Sequence, residues 1–303
     1  MHPKITHLSN PTRHLQGEAI FAVLGLIILS FAAYLNALSN TFVFDDVYVI
    51  SGNYFIRDWQ NIFGLFTSKY FAASGELSYR PVVTLSYFVD YSLWHLNPMG
   101  YHLTNIVLHT LNSVLLFFFV QLMVKNTPVA FLASLFFICH PVLSEAVNAV
   151  SYREDILAAA FFITAFLLYV KSPAPNKFMY RNLSPLGTGM HHGVYPEQKQ
   201  DSSASPQNDK RRRVQHDSVC HSERSEESKF YLYPLSLLSY LFALFSKEMA
   251  ITLPLLIFFF DYLIGSRRTF TNRILRFYLG YILVTIFYLL VRFWWFHNPV
   301  ESG

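Results

Sequence analysis

The sequence predicts an all-α, polytopic membrane protein with about seven transmembrane helices and an interfacial helix in a long first outer loop. Three observations predict it. The 303 residues are 53% hydrophobic and only 14% charged, where a soluble domain carries about 25% charged residues. The hydrophobic residues come in runs rather than in short amphipathic patterns. Lysines and arginines concentrate in alternate connecting segments, which is the signature of a fixed membrane orientation.

The runs, in order, are Ile20–Leu38, His102–Val124, Val129–Val150, Ile156–Val170, Phe230–Phe245, Met249–Ile264 and Phe277–Phe296. A helix needs about 20 residues to cross the hydrocarbon core. The runs starting at Ile20, His102, Val129 and Phe277 meet or nearly meet that length, whereas those from Ile156, Phe230 and Met249 must borrow flanking residues. The first run contains small residues (Ala32, Ala33, Ala37), but it is long for a signal-peptide core and no clean cleavage site follows, so it reads as a retained span. With a cytoplasmic N-terminus, the inside segments hold Lys4, Arg13, Lys125, the basic residues between Lys171 and Lys229, and Arg267, Arg268, Arg273 and Arg276. The outside segments hold Arg57, Lys69, Arg80, Arg153 and Lys247, and Arg292 falls within the last run. The net charge of +4 reflects cytoplasmic loops and gives no reason to invoke nucleic acid. Cys139 falls in a span and Cys220 in a cytoplasmic loop, which makes a disulfide between them implausible.

Four regions follow: a cytoplasmic N-terminus (1–19), an N-terminal membrane region (20–171), a cytoplasmic insertion (172–228) and C-terminal membrane helices (229–303). The outer loop 39–101 is too long for a plain connector. Within it, RPVVTLSYFVDYSLWHL (Arg80–Leu96) is apolar but interrupted by Asp90 and His95, and carries Tyr87, Tyr91 and Trp94, so it reads as a helix lying at the interface. The insertion is rich in Ser, Pro, Gln, Asn and charge and is expected to be disordered. Its Lys210–Arg213 run reads as a topological anchor, and His221–Phe230 looks like a translated interspersed repeat.

The candidate functional residues gather on one side under this topology. NTFVFDDVYV (Asn40–Val49) sets Asp45 and Asp46 among apolar neighbours just after the first span, where FVFDDVYVI reads as extended or irregular. Arg153, Glu154 and Asp155 lie in the second outer segment, Lys247 and Glu248 in the third. His102, Asn105 and His109 are spaced to share one face of the second span, and His140 and Glu145 lie near the outer end of the third, where Pro141 can kink the helix. Ionisable groups in a membrane are expensive and usually face a cavity or a partner. The plainer readings are interhelical hydrogen bonding for the His/Asn stripe, interfacial ion pairs for Arg153–Asp155 and Lys247–Glu248, and snorkelling for Arg292. Asp45–Asp46 has the weakest plain account.

FDD after the first span, YRPVVTLSYFVDYSLWHLNPMGYHLTNIVLHTLNS, HPVLSEAVNAVSYREDIL and LFSKEMAITLPLLIFFFDYL together resemble the transmembrane O-mannosyltransferases that carry tetratricopeptide repeats, and their bacterial relatives. That family belongs to the GT-C superfamily, whose donors are polyprenyl-phosphate sugars. The resemblance covers about residues 20–170 and 230–298. Ser172–Ser228 matches nothing in the family, and no repeat of about 34 residues is found, so the chain reads as an N-terminal fragment or truncated product of such an enzyme.

The resemblance implies an inverting glycosyltransferase that moves a sugar from a polyprenyl phosphate to an acceptor hydroxyl on a protein or glycan, at the outer face of a bacterial inner membrane. A poor hydroxyl nucleophile needs a carboxylate to take its proton, and the departing phosphate needs positive charge. Asp45 is favoured as the base by resemblance. Asp46 is expected to point elsewhere, to orient the acceptor, bind a cation or brace a loop. Arg153, Lys247, Arg80 and Arg292 are the donor-phosphate candidates, and His102, Asn105, His109, His140, Glu145, Asp155 and Glu248 are supporting polar groups. Paired carboxylates admit a divalent cation, but two residues do not make a metal site. A transporter and a non-enzymatic membrane scaffold are the opposing classes; clustering of acids at the outer boundary, without matching halves, argues against the transporter.

Overall fold

A computed structural model describes residues 11–67, 70–74, 76, 78–172, 231–264 and 277–295. The expected insertion beyond Ser172, with Lys210–Arg213, Cys220 and His221–Phe230, lies outside the described residues. So do Lys4, Lys69, Arg267, Arg268, Arg273, Arg276 and the chain from Phe296 onward.

Among the described residues the fold is helical, with no strand. The helices are α1 (Pro11–Tyr34), α2 (Tyr70–Ser74), α3 (Pro81–Trp94), α4 (Pro98–Val124), α5 (Thr127–Cys139), α6 (Pro141–Asn148), α7 (Arg153–Lys171), α8 (Leu232–Ser246), α9 (Leu253–Ile264) and α10 (Leu279–Leu290). Short 3₁₀ or π turns adjoin several of them, notably Leu35–Ser39, Val150–Tyr152, Glu248–Thr252 and Val291–Trp295, and another, Val47–Ser51, stands by itself in the outer loop. Prolines open α3, α4, α5 and α6 within their first two positions, where a missing N–H costs nothing. Side-chain caps complete several starts: Asn97 Oδ1 accepts the Met99 N–H and Asn126 Oδ1 that of Val129, satisfying donors the helix leaves orphaned. Lys125 closes α4 in the left-handed conformation (φ 54°), so the chain reverses into α5 within two residues.

Every expected run contains helix, but among the described residues length and composition qualify two single helices as spans, Gly17–Ser39 and Pro98–Val124. A third is reached if α5 and α6 count as one. That pair bends by 60° at His140–Pro141, because the residue before a proline is driven out of the helical region; His140 sits at φ −71°, ψ 121°. α7 opens on Arg153, Glu154 and Asp155, and α8, α9 and α10 have 15, 12 and 12 residues. The seven-span expectation is therefore not established by the helices themselves.

Polarity is distributed inside out. His102, Asn105, His109, Asn112, Ser113, Ser134, Ser236 and Ser239 are buried, while Phe21, Ile28, Leu132, Phe136, Leu255, Leu263 and Leu283 are exposed. A protein in water would reverse that arrangement; a lipid-facing one fills its helix contacts with small and hydrogen-bonding residues. Ser236 Oγ donates to the Ala165 carbonyl at 2.5 Å, and Ser239 Oγ to Phe161 at 2.9 Å, joining α8 to α7. Thr110 Oγ donates to Ser30 Oγ at 2.8 Å, joining α4 to α1. Three apolar clusters result: α1 with α4, α5 and Val147 of α6; α7 with α8, α9 and α10; and the outer loop with α3, Tyr101 and Val150.

The third cluster folds the outer loop onto the bundle, and α3 is the helix expected at Arg80–Leu96. Its exit requires a glycine. A Cβ on Gly100 would stand 2.1 Å from Trp94 Cγ and 2.6 Å from its Cβ. Gly100→Ala is expected to cost about 1–3 kcal/mol of stability through overpacking, checked by thermal unfolding of the purified chain in detergent.

Candidate active site

The turn that carries the aspartates is not extended. Phe44 takes φ 49°, an uncommon conformation for a bulky side chain. The Asp45 carbonyl then accepts the N–H groups of Tyr48 and Val49, starting the helical turn Val47–Ser51. Of the extended or irregular backbone expected, residues 40–43 are irregular and a turn and helix follow, with no extended strand, yet the two carboxylates still diverge. Asp46 is fully buried. Its Oδ1 accepts the Ser151 N–H at 2.7 Å and its Oδ2 the Val43 N–H at 3.2 Å. Asp46 thus ties the first outer loop to the turn before α7. Asp45 is exposed, and its carboxylate makes no hydrogen bond or ion pair among the described residues.

Asp45 lines a cavity of about 610 Å³. Tyr48, Val49, Gly52, Glu76 and Ser78 come from the same loop, Arg80 from the start of α3, and Ser151, Tyr152 and Glu154 from the α6–α7 junction. The volume suits a small-molecule site. Burial, offset by Arg80 and reinforced by Glu154 and Asp45, pushes the Glu76 carboxyl up to about 7.

Arg80 belongs to a network in which three cations and three carboxylates alternate. Arg80 Nη1 pairs with Glu154 Oε2, and Arg80 Nη2 lies 3.9 Å from Glu248 Oε2. Lys247 Nζ lies 2.6 Å from Asp155 and 3.3 Å from Glu154. Arg292 Nη1 donates to Glu248 Oε2 at 3.1 Å and to the Tyr288 hydroxyl at 2.9 Å. Segments expected on the outer side therefore meet at one end of the bundle.

Arg153 is placed differently from the expectation. It is fully buried and does not reach the cavity wall. Nη1 lies 2.6 Å from Asp90 Oδ2, Nε donates to Asn105 Oδ1 at 2.7 Å and Nη2 to the Tyr101 carbonyl at 3.1 Å. Its guanidinium also lies over the Tyr87 ring, 5.1 Å from the centroid. Arg153 locks α3, α4 and α7 together and offers no free donor face to a phosphate.

Within the His/Asn stripe, Asn105 and His109 are engaged in helix contacts. Asn105 Nδ2 reaches the carbonyls of Ala146, Val147 and Ala149 at 3.3–3.4 Å. His109 stacks on Phe137 at 5.0 Å and meets Tyr34 edge-on at 5.2 Å, and His102 is buried. His140 Nδ1 accepts the Val142 N–H and caps α6. Glu145 is exposed and off the cavity wall. Among the described residues no group of three or more His, Cys, Asp or Glu is placed to hold a metal ion, and the aspartate pair presents only Asp45 to the cavity. Sequence reasoning missed Glu76; its one trace is a lone acid four residues before Arg80 in YFAASGELSYRP.

Protein O-mannosyl-transferase TMTC3 of Homo sapiens is 35% identical to the chain over 150 residues, covering 48% of this chain and 16% of the relative. Protein O-mannosyl-transferase TMTC2 of Mus musculus is 34% identical over 182 residues, covering 58% and 21%. Over the matched stretch, the chain is homologous to the protein O-mannosyl-transferases. A further relative of that name, from Caenorhabditis elegans, is 31% identical over 176 residues, covering 55% and 25%. The chain thus spans 16–25% of the length of these O-mannosyl-transferases. No family model matches it, and no solved structure does.

Proposed function

We propose that the chain forms part of a glycosyltransferase that moves a sugar from a polyprenyl-phosphate donor to an acceptor hydroxyl, with inversion and with Asp45 as general base. The observation that carries this is the pairing, on one cavity wall, of the Arg80 guanidinium and an exposed carboxylate that has no hydrogen bond or ion pair among the described residues. The homologues' names support mannose as the sugar and a protein as acceptor.

The acceptor oxygen attacks the anomeric carbon from the face opposite the phosphate. The new C–O bond forms as the bond to the phosphate oxygen breaks, the hydroxyl proton passes to Asp45, and polyprenyl phosphate leaves. Arg80, with Lys247 and Arg292 behind it, exchanges carboxylate partners for phosphate oxygens, so that positive charge meets the developing anion. Asp46 holds the turn that aims Asp45. Arg153 acts at a distance, by fixing α3. The lipid tail of the donor would lie along the exposed apolar helix faces.

We read all seven apolar segments as crossing or entering the membrane, with α3 at the interface and the cavity on the extracytoplasmic side, periplasmic in a bacterial inner membrane. The regions divide as 1–19, 20–171 with the loop 39–101, 172–228 as a cytoplasmic insertion, and 229–303. Concentration of Lys and Arg in the opposite segments supports that orientation. A transporter is less well supported, because Asn105 and His109 are engaged in packing rather than lining a midplane cavity.

The test is transfer by the full chain, purified and reconstituted, from radiolabelled polyprenyl-phosphate mannose and from nucleotide-linked mannose. Label is expected to move to a serine- and threonine-containing peptide from the lipid-linked donor alone. Transfer from the nucleotide sugar alone, or from neither, would overturn the proposal.

A further inference from the structure

We propose that Glu76 is a specificity residue, reading one hydroxyl of the transferred sugar; this rests on the glycosyltransferase reading above. Glu76 is only 9% exposed, lines the cavity, and its carboxylate has no hydrogen bond or ion pair among the described residues. The carboxylate opens onto the cavity, where a ligand hydroxyl can reach it, and hydrogen bonds to charged groups contribute about 1.5–3 kcal/mol, more than those between neutral groups. Its backbone is fixed: the Glu76 N–H donates to Ser74 Oγ at 3.2 Å, and the Ser74 carbonyl accepts Asn53 Nδ2 at 2.8 Å. Asn53 Nδ2 also donates to the Val49 carbonyl at 3.0 Å, which couples Glu76 to the turn that begins at Asp45.

The charge on the wall selects the ligand's chemistry. On the wall, Asp45, Glu76 and Glu154 stand beside one cation, Arg80, and Glu154 already pairs with Arg80 and with Lys247 behind the wall. A second anion is disfavoured beside Glu76, whereas hydroxyl donors are favoured. Tyr48 and Tyr152 also line the cavity, and aromatic side chains there suit the C–H groups of a pyranose. The sugar therefore sits on the Glu76 side and the phosphate toward Arg80 and Lys247.

Protonation modulates the contact. With its carboxyl raised to about 7, Glu76 is largely neutral below that pH and both donates and accepts; above it, Glu76 only accepts and adds negative charge. The groups facing it are Arg80, Glu154 and Asp45, with Tyr70 and Tyr87 coupled to its charge. Burial pushes both phenols up from their ordinary range, so neither changes charge near pH 7; burial also raises the Glu154 carboxyl, which Arg80 and Lys247 oppose. Donor binding is expected to weaken as pH rises through about 7.

The experiment measures binding of short-chain polyprenyl-phosphate mannose, its four monodeoxy analogues and sugar-free polyprenyl phosphate to the full chain in nanodiscs, between pH 5.5 and 8.5. One deoxy analogue is expected to bind the unsubstituted chain at least about tenfold more weakly, the scale of a hydrogen bond to an ionisable group. Glu76→Gln and Glu76→Asp are expected to shrink that ratio toward one, and Glu76→Gln to remove the pH dependence, while sugar-free polyprenyl phosphate still binds and reports folding. Unchanged deoxy ratios and pH profile in both variants would overturn the role of Glu76 alone. No binding of any mannosyl lipid by the unsubstituted chain would overturn the glycosyltransferase reading and this inference with it.

Discussion

Arg153→Met is expected to destabilise the chain by about 3–5 kcal/mol, the usual cost of removing one partner from a buried ion pair. Asp90 would be left buried, with only the Thr104 hydroxyl, 2.8 Å away, still donating to it. Asn105 and the Tyr101 carbonyl would lose their donors, and α3 would lose its charged tie to α4 and α7. Arg153→Lys is expected to recover little, because a single ammonium cannot serve the partners that the planar fork reaches. Pairing Arg153→Met with Asp90→Leu removes both charges and is expected to restore much of the loss. Thermal unfolding in detergent checks all three. If Arg153 instead held the donor phosphate, Arg153→Met would unfold normally and raise only the KM for donor.

That distinction was beyond the sequence. Arg80, Arg153 and Lys247 all fall in segments of the same side, and nothing in their spacing tells which stays near a cavity. Three-dimensional closure decides it: Ser86, Tyr87, Asp90, Tyr101 and Asn105 enclose Arg153, while Arg80 opens α3 at the cavity mouth. The helices were legible because apolar runs and proline punctuation are local signals. The break at Pro141 was legible for the same reason, though its 60° was not. At the aspartates the helical turn was not legible, because β-branched and aromatic neighbours favour strand and leave only extended or irregular backbone as expectations. A partner 105 residues away, the Ser151 N–H, overrides that preference. Glu76 stayed hidden because a lone loop acid has no periodicity, and its burial depends on segments distant in sequence.

The two aspartates are expected to fail in opposite ways. Asp46→Asn keeps one acceptor oxygen where two N–H groups need acceptors, and hydrogen bonds to charged groups contribute about 1.5–3 kcal/mol each. It should lower the unfolding temperature and reduce transfer by misplacing the turn. Asp45→Asn should leave the unfolding temperature nearly unchanged, since the carboxylate makes no hydrogen bond or ion pair among the described residues. It should reduce kcat by about 10²–10⁴, the contribution of a positioned general base. Donor affinity should hold, because binding uses Arg80, Lys247 and Glu76.

The most direct measurement is single-turnover transfer from radiolabelled polyprenyl-phosphate mannose to a peptide acceptor, by equal amounts of folded unsubstituted chain and Asp45→Asn. A rate lower by about 10²–10⁴ at unchanged donor affinity is the predicted result. Transfer by Asp45→Asn at the unsubstituted rate would contradict the assignment of Asp45 as the base.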